Sequence, residues 1–312
     1  MLSVNPVIDT LTADQQHAGR AEPMKAPNFA YAKPASLNEA LALLSSHGGG
    51  AVPLAGGQSL VATLNLRLSA PELLVDLGAL DELRGIAEDG NAVRIGALTT
   101  HDEVAQSPIV RRHLPLIAEA IRHVGHVAIR NRGTLGGSLA YADPAAEMPA
   151  CCVALDAAIV VAGKSGRREI AAADFYKGLF ETALDLGELI VEIRLPKQRP
   201  NQHWGFAELA RRRGDFALAG LAATLDKDGN HIKHARLVYF GCADCARPAR
   251  GVAQKLTGEP LPLGDCEWLP DALAADLRPL DSPGLKARTK LQLATALTRR
   301  TLNNLRSMTD DG

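Results

Sequence analysis

Two short segments hold the residues best suited to gripping an anion. The first is Leu54-Ala55-Gly56-Gly57-Gln58-Ser59-Leu60, directly after an apolar run. Adjacent glycines permit positive φ and let a backbone come close to a ligand. Successive N–H groups in such a turn form a concave nest for an anion, and Ser59 adds a hydroxyl. The spacing is not G-x-G-x-x-G, so the Rossmann dinucleotide fingerprint is absent. No Gly-Lys-Ser/Thr follows, so it is not a P-loop. By itself, a strand followed by Gly-Gly also reads as a plain tight turn.

The second segment is Ile129-Arg130-Asn131-Arg132-Gly133-Thr134-Leu135-Gly136-Gly137-Ser138-Leu139, with Ala142-Asp143-Pro144-Ala145-Ala146-Glu147 close behind. Asp143-Pro144 has the form of a helix N-cap with proline at the first helical position. Two readings stand side by side. One is a surface loop that caps a helix. The other is a second strip of donors around a phosphate or sugar, with Glu147 accepting from sugar hydroxyls.

The elements that must position these segments follow from local patterning. Ser36 and Glu39 form a capping box ahead of a helical run through Leu44, and Gly48-Gly49-Gly50 stops it. Strands are predicted at 51–55, 73–75 and 92–95. Thr100 and Glu103 make a second capping box, and a longer helix is expected over about 116–124. The stretch 128–143 reads as Gly-rich and polar, with helix resuming near Ala145 and running to about Leu155. Strands follow at 158–161 and 189–195, then a proline-bearing linker over 196–201. Three more strands are expected at 204–209, 218–225 and 235–240, and the last helix at about 285–305. Strands followed by helices suggest α+β rather than a wound parallel sheet. Residues 1–23 read as a polar tail.

Composition excludes several functions. Hydrophobic residues make up 46%, enough for a sizeable core without disulfide staples. The 34 basic and 35 acidic residues leave a net charge of −1, unlike the basic face of a nucleic-acid binder. No apolar run approaches the roughly 18 residues of a membrane span, and no signal peptide is visible, so a cytoplasmic location is expected. Cys242-Ala-Asp-Cys245 has C-x-x-C spacing, but a tetrahedral site needs two further ligands and no second pair follows. Cys151 and Cys152 sit in an apolar helical run and read as core. His101, His113, His123 and His126 do not recreate a metal motif. No metal site is expected, and no catalytic triad is readable. Arg211-Arg212-Arg213 reads as a solvated face, or as a contact to a cofactor or partner.

At these motifs the sequence resembles the FAD-binding medium subunit of carbon monoxide dehydrogenase and related molybdenum hydroxylases, and the flavin domain of the xanthine dehydrogenase family. Ala55 to Leu60, Arg130 to Leu139 and Ala142 to Glu147 carry the resemblance. Met24-Lys25, Phe175 to Glu181, Glu192-Ile193-Arg194-Leu195-Pro196 and Arg212-Arg213-Gly214-Asp215-Phe216-Ala217 extend it across about residues 24–305. The chain departs from many relatives at Leu64-Asn65, where they carry Met-Lys, and in its cysteine-rich turn at Cys242 to Cys245. No inserted cysteine loop for a further cluster is visible.

The resemblance implies an α+β, vanillyl-alcohol-oxidase-type FAD-binding fold of two subdomains (about 24–79 and 80–200), then a C-terminal domain (201–312) with a three-stranded sheet and helices. It implies non-covalent FAD, with Leu54, Ala55, Gly56, Gly57, Gln58, Ser59 and Leu60 at the pyrophosphate. Thr134, Gly136, Gly137 and Ser138 would continue that cradle. Asp143 and Glu147 would lie along the ribityl or adenine side, and Phe180 near the isoalloxazine. It also implies partners: a small [2Fe–2S] subunit and a large molybdopterin subunit, as a dimer of heterotrimers. The chain would relay electrons, with no catalytic side chain of its own. The rival is a self-contained flavin oxidase of the same fold class.

Overall fold

The computed structural model describes Asp9, Thr10 and residues 25–306. Apart from Asp9 and Thr10, the polar tail expected over 1–23 lies outside the described residues. The first sheet contains β1 (Asp9–Thr10), β2 (Ala30–Ala32), β3 (Ala51–Leu54) and β4 (Leu73–Asp76), in the spatial order β1-β2-β4-β3. β2 and β3 both run parallel to β4. Parallel neighbours need a crossover, and helix α1 (Leu37–His47) supplies one; α2 (Leu60–Asn65) follows β3. Ser36 accepts from Glu39 N at 3.2 Å, as its capping role requires. Glu39 itself accepts from Ala35 N at 2.8 Å, one residue before the box position. β1 pairs antiparallel with β2, so three parallel strands, β2, β4 and β3, form a small wound unit within the α+β fold, with α1 and α2 as its crossovers.

The second sheet is antiparallel, in the order β5-β6-β11-β7-β8. Its strands are β5 (Ile86–Asp89), β6 (Ala92–Gly96), β7 (Ala158–Gly163), β8 (Gly166–Ala171) and β11 (Leu189–Pro196). Between β6 and β7 the chain makes six helices: α3 (His101–Gln106), α4 (Pro108–His113), α5 (Pro115–Ala120), α6 (Val127–Arg130), α7 (Leu135–Tyr141) and α8 (Glu147–Ala154). Helix α9 (Ala172–Phe175) and a small hairpin, β9 (Tyr176–Gly178) with β10 (Glu181–Thr182), precede β11. The Thr100–Glu103 box at α3 is complete.

Three local expectations need correction. The helix expected over 116–124 ends at Ala120. The polar stretch 128–143 folds into α6 and α7, because Thr134 caps α7 by accepting from Gly137 N at 3.1 Å. Asp143 does not cap α8: Ala146 occupies that position, and Asp143 Oδ1 accepts from Ala145 N at 2.8 Å to close a turn before it. The Pro144 carbonyl, needed for a helix starting there, is taken by Gly241 N at 2.7 Å.

The C-terminal part forms an antiparallel meander of β12 (Gln202–Leu209), β13 (Ala219–Asp228) and β14 (His231–Phe240). A two-residue β15 (Arg247–Pro248) adds a fourth strand to the three expected. Helices α10 (Arg250–Leu256), α11 (Leu269–Leu277) and α12 (Ala287–Asn303) cover one face, burying Leu221, Leu237 and Tyr239 against Leu273 and Leu297. The other face, with Ala222, Val238 and Phe240, joins the core around α8. All eight residues of α8 are therefore buried, Cys151 and Cys152 among them, as a helix apolar nearly all round must be. Among the described residues no helix is long and apolar enough to cross a membrane.

Candidate functional site

The loop after β3 leaves the carboxyl end of a parallel strand, where open parallel sheets bind ligands. Leu54 and Asp76 are paired at that end of β3 and β4. Gly57 adopts φ +73°, which turns the loop toward α2 and which a side chain would strain. No hydrogen bond among the described residues uses the N–H of Gly56, Gly57, Gln58, Ser59 or Leu60. Gln58 is exposed and the other four are half-buried; a row of free donors suits an anion. Gly56, Gly57 and Gln58 border an open pocket of about 410 Å3. Its lining is Leu54, Ala55, Gly56, Gly57 and Gln58, with Val61, Ala62 and Asn65 from α2, Asp76 from β4, and Arg132.

The fold brings the two glycine segments into contact. A Cβ on Gly56 would stand 2.1 Å from the Arg132 carbonyl oxygen and 2.8 Å from Gly133 Cα, so only glycine permits this approach. Ala55 Cβ lies 3.6 Å from where a Cβ on Gly137 would stand. Behind the turn, His101 N donates to Gly133 O at 2.9 Å. The imidazole of His101 is buried, and that burial, with the charge of Arg130, holds its pKa down to about 4.

The second segment supports the pocket differently from a strip of backbone donors. Gly136 N is engaged by Ala97 O at 2.9 Å, Gly137 N by Thr134 Oγ1 and Ser138 N by Thr134 O at 3.0 Å. A Cβ on Gly136 would meet Ala97 Cβ at 2.6 Å, so this glycine is required for packing α7 against the end of β6. Thr134, Gly136, Gly137 and Ser138 do not line the pocket, nor do Ser59 and Leu60. Patterning missed Val61, Ala62, Asn65 and Asp76. Asp76 had one signal, an acidic residue closing the apolar run Leu73 to Val75.

Helix α7 links this pocket to a second group of residues. Its seven residues span about 10 Å at 1.5 Å each. At its far end the Tyr141 ring meets Phe180 edge-on, with centroids 5.3 Å apart. Phe180 has φ +55° and is 51% exposed, on the tip of the β9–β10 hairpin. Asp143 follows α7, its carboxyl pushed up by burial. Glu147 is 8% exposed. Burial pushes its carboxyl up to about 7; the nearby charges of Glu208 and Asp143 add to this, and His123 opposes it. Glu208 reaches in from β12, pairing with His123 Nδ1 at 3.3 Å and leaving its buried Oε2 without a partner among the described residues. All five cysteines are free and buried.

Comparisons with known proteins show the family and the fold. The family described as FAD binding domain in molybdopterin dehydrogenase matches residues 27–198, and the CO dehydrogenase flavoprotein C-terminal domain matches residues 204–305. The carbon monoxide dehydrogenase medium chain of Hydrogenophaga pseudoflava is 38% identical over 277 residues, covering 89% of this chain and 96% of that protein. The nicotine 6-hydroxylase medium subunit of Paenarthrobacter nicotinovorans is 38% identical over 279 residues, covering 89% and 98%. The solved carbon monoxide dehydrogenase of Hydrogenophaga pseudoflava superposes with a TM-score of 0.85 at 37% identity, over 89% of this chain and 97% of that one. A free-donor loop of this kind, within a chain matched along both of its parts, leads to one conclusion: the protein belongs to the family of flavoproteins that carry the FAD binding domain of molybdopterin dehydrogenases.

Proposed function

We propose that this chain is the electron-relay subunit of a heterotrimeric molybdenum hydroxylase. Electrons enter from the [2Fe–2S] clusters of a small partner subunit and leave to an external acceptor. The organic substrate is hydroxylated on a large molybdopterin subunit, and the complex is a cytoplasmic dimer of heterotrimers. The observation that carries the reading is the row of N–H groups from Gly56 to Leu60 without a partner among the described residues, of which Gly56, Gly57 and Gln58 line the pocket after β3. These donors hold the FAD pyrophosphate, and Arg132 adds a positive charge. Asp143 and Glu147 would lie along the ribityl side of the cofactor, and Phe180, packed on Tyr141, would stand near its ring system. When bound, FAD supplies the redox chemistry, so the chain's residues bind and orient it without acting as acid or base. The flavin domain divides at about residues 79 and 80, and the C-terminal domain begins at about 201.

The test has two arms. The tagged chain, purified from its own cells, should bring two further polypeptides, with molybdenum and iron in fixed proportion to flavin. The isolated FAD-loaded chain should stay oxidised with substrate under anaerobic conditions until both partners are added. Stoichiometric bleaching by substrate without partners would overturn the relay and favour a self-contained oxidase.

A further inference from the structure

One wall of the anion pocket carries a negative charge. Asp76, half-buried at the end of β4, lines the same cavity as the free N–H row and Arg132. A carboxylate beside a pyrophosphate repels it, so the ligand must bring something that the carboxylate can accept. Asp76 is held ready for this. Its Oδ1 accepts from Gly78 N at 2.8 Å and its Oδ2 accepts from the Tyr31 hydroxyl. An ionised carboxylate has about four lone-pair sites, so two such bonds leave acceptor capacity on a residue that lines the pocket. The parallel pairing of β3 with β4 sets Leu54 opposite Asp76, which puts donor loop and carboxylate on one edge of the sheet.

A row of anion-binding amides with an adjacent fixed acceptor matches a nucleoside diphosphate, whose vicinal ribose hydroxyls are the donors nearest the phosphates. An acidic residue serves ribose hydroxyls in this way in wound dinucleotide folds, from the same physical requirement. We propose that Asp76 accepts the ribose hydroxyls of the adenosine half of the bound dinucleotide, with Tyr31 as the residue that positions it. This inference rests on the flavin reading and would set the adenosine half beside the end of β4.

The test is titration of the flavin-stripped full chain with FAD, FMN, ADP and the 2′,3′-dideoxy analogue of ADP, followed by calorimetry or flavin fluorescence. Asp76→Asn keeps an acceptor for Gly78 N but replaces the second carboxylate oxygen with a donor. It should weaken FAD and ADP about ten-fold or more, the loss expected for a hydrogen bond to a charged group, and leave FMN unchanged. Dideoxy-ADP should bind the native chain as weakly as ADP binds Asp76→Asn, and should lose nothing further in that variant. Tyr31→Phe should give a smaller loss of the same pattern. Equal binding of ADP and its dideoxy analogue to the native chain would overturn the proposal. An equal loss of FMN and FAD in Asp76→Asn would also overturn it, by showing that Asp76 only closes its turn. A native chain that binds no FAD would overturn the flavin reading and this inference with it, an outcome distinct from the other two.

Discussion

A methyl group on Gly56 probes the contact on which the site is built. The added carbon would stand 2.1 Å from the Arg132 carbonyl oxygen and 2.8 Å from both Arg132 C and Gly133 Cα. All three are backbone atoms, so no rotamer relieves the overlap. An ordinary close carbon–oxygen approach is about 3.3 Å, so loop and turn must part by roughly 1 Å. Overpacking of this kind costs about 1–3 kcal/mol. If the loop holds the pyrophosphate as proposed, each such bond spoiled by the shift removes about 1.5–3 kcal/mol more from binding. Gly56→Ala should therefore lower FAD affinity roughly ten- to a hundred-fold per bond lost, and should lower the melting temperature as well. Flavin-to-protein absorbance and reconstitution by fluorescence quenching measure the first, and circular dichroism the second. Gly57→Ala is the control. Its φ of +73° imposes strain, but the nearest atoms are side-chain carbons, Val61 Cγ2 at 3.1 Å and Leu54 Cδ1 at 3.4 Å, which can give way. That strain is worth about 1–2 kcal/mol, so the control should be milder. Native flavin content and melting temperature in Gly56→Ala, or a larger defect in Gly57→Ala, would refute the packing argument.

Burial holds the Glu147 carboxyl up to about 7 against an ordinary 4.5, so the folded chain keeps a proton that the unfolded chain releases. Stability from this group is complete below the unfolded value and declines as pH rises to about 7, by about 3 kcal/mol in all. Glu147→Gln should flatten that decline; urea titrations from about pH 4 to about 8 compare the two chains, and parallel profiles would contradict it. Burial also raises the thiols of Cys242 and Cys245 to about 12 and about 11, and metal ligation needs thiolate. Metal analysis of the isolated chain should find zinc and iron well below stoichiometry, whereas stoichiometric metal lost on Cys245→Ser would show a site. Deleting residues 1–23 removes β1, which edges the first sheet on the side opposite β3. Flavin content and melting temperature should survive the deletion, and a large loss of either would show that the segment braces the fold.

The features legible in the sequence are those whose partners lie a few residues away. Ser36 and Thr100 announce α1 and α3 because a cap bonds within its own first turn. Gly56-Gly57 after an apolar run announces a turn, because glycine's backbone freedom is local, and Gly57 takes φ +73° there. Tertiary structure decided the rest, since a contact between distant segments leaves no mark at the spacing of either. Gly136 and Gly137 look like further donors in sequence, yet their N–H groups are engaged, one of them by Ala97 on a neighbouring segment. Asp76 becomes part of the pocket only through the parallel pairing of β3 with β4. Glu147 has its raised carboxyl because the C-terminal sheet buries it beside Glu208. Whether an amide is free, which carboxylate faces the cavity and how strongly a buried acid holds its proton all depend on desolvation and on charges brought close by folding.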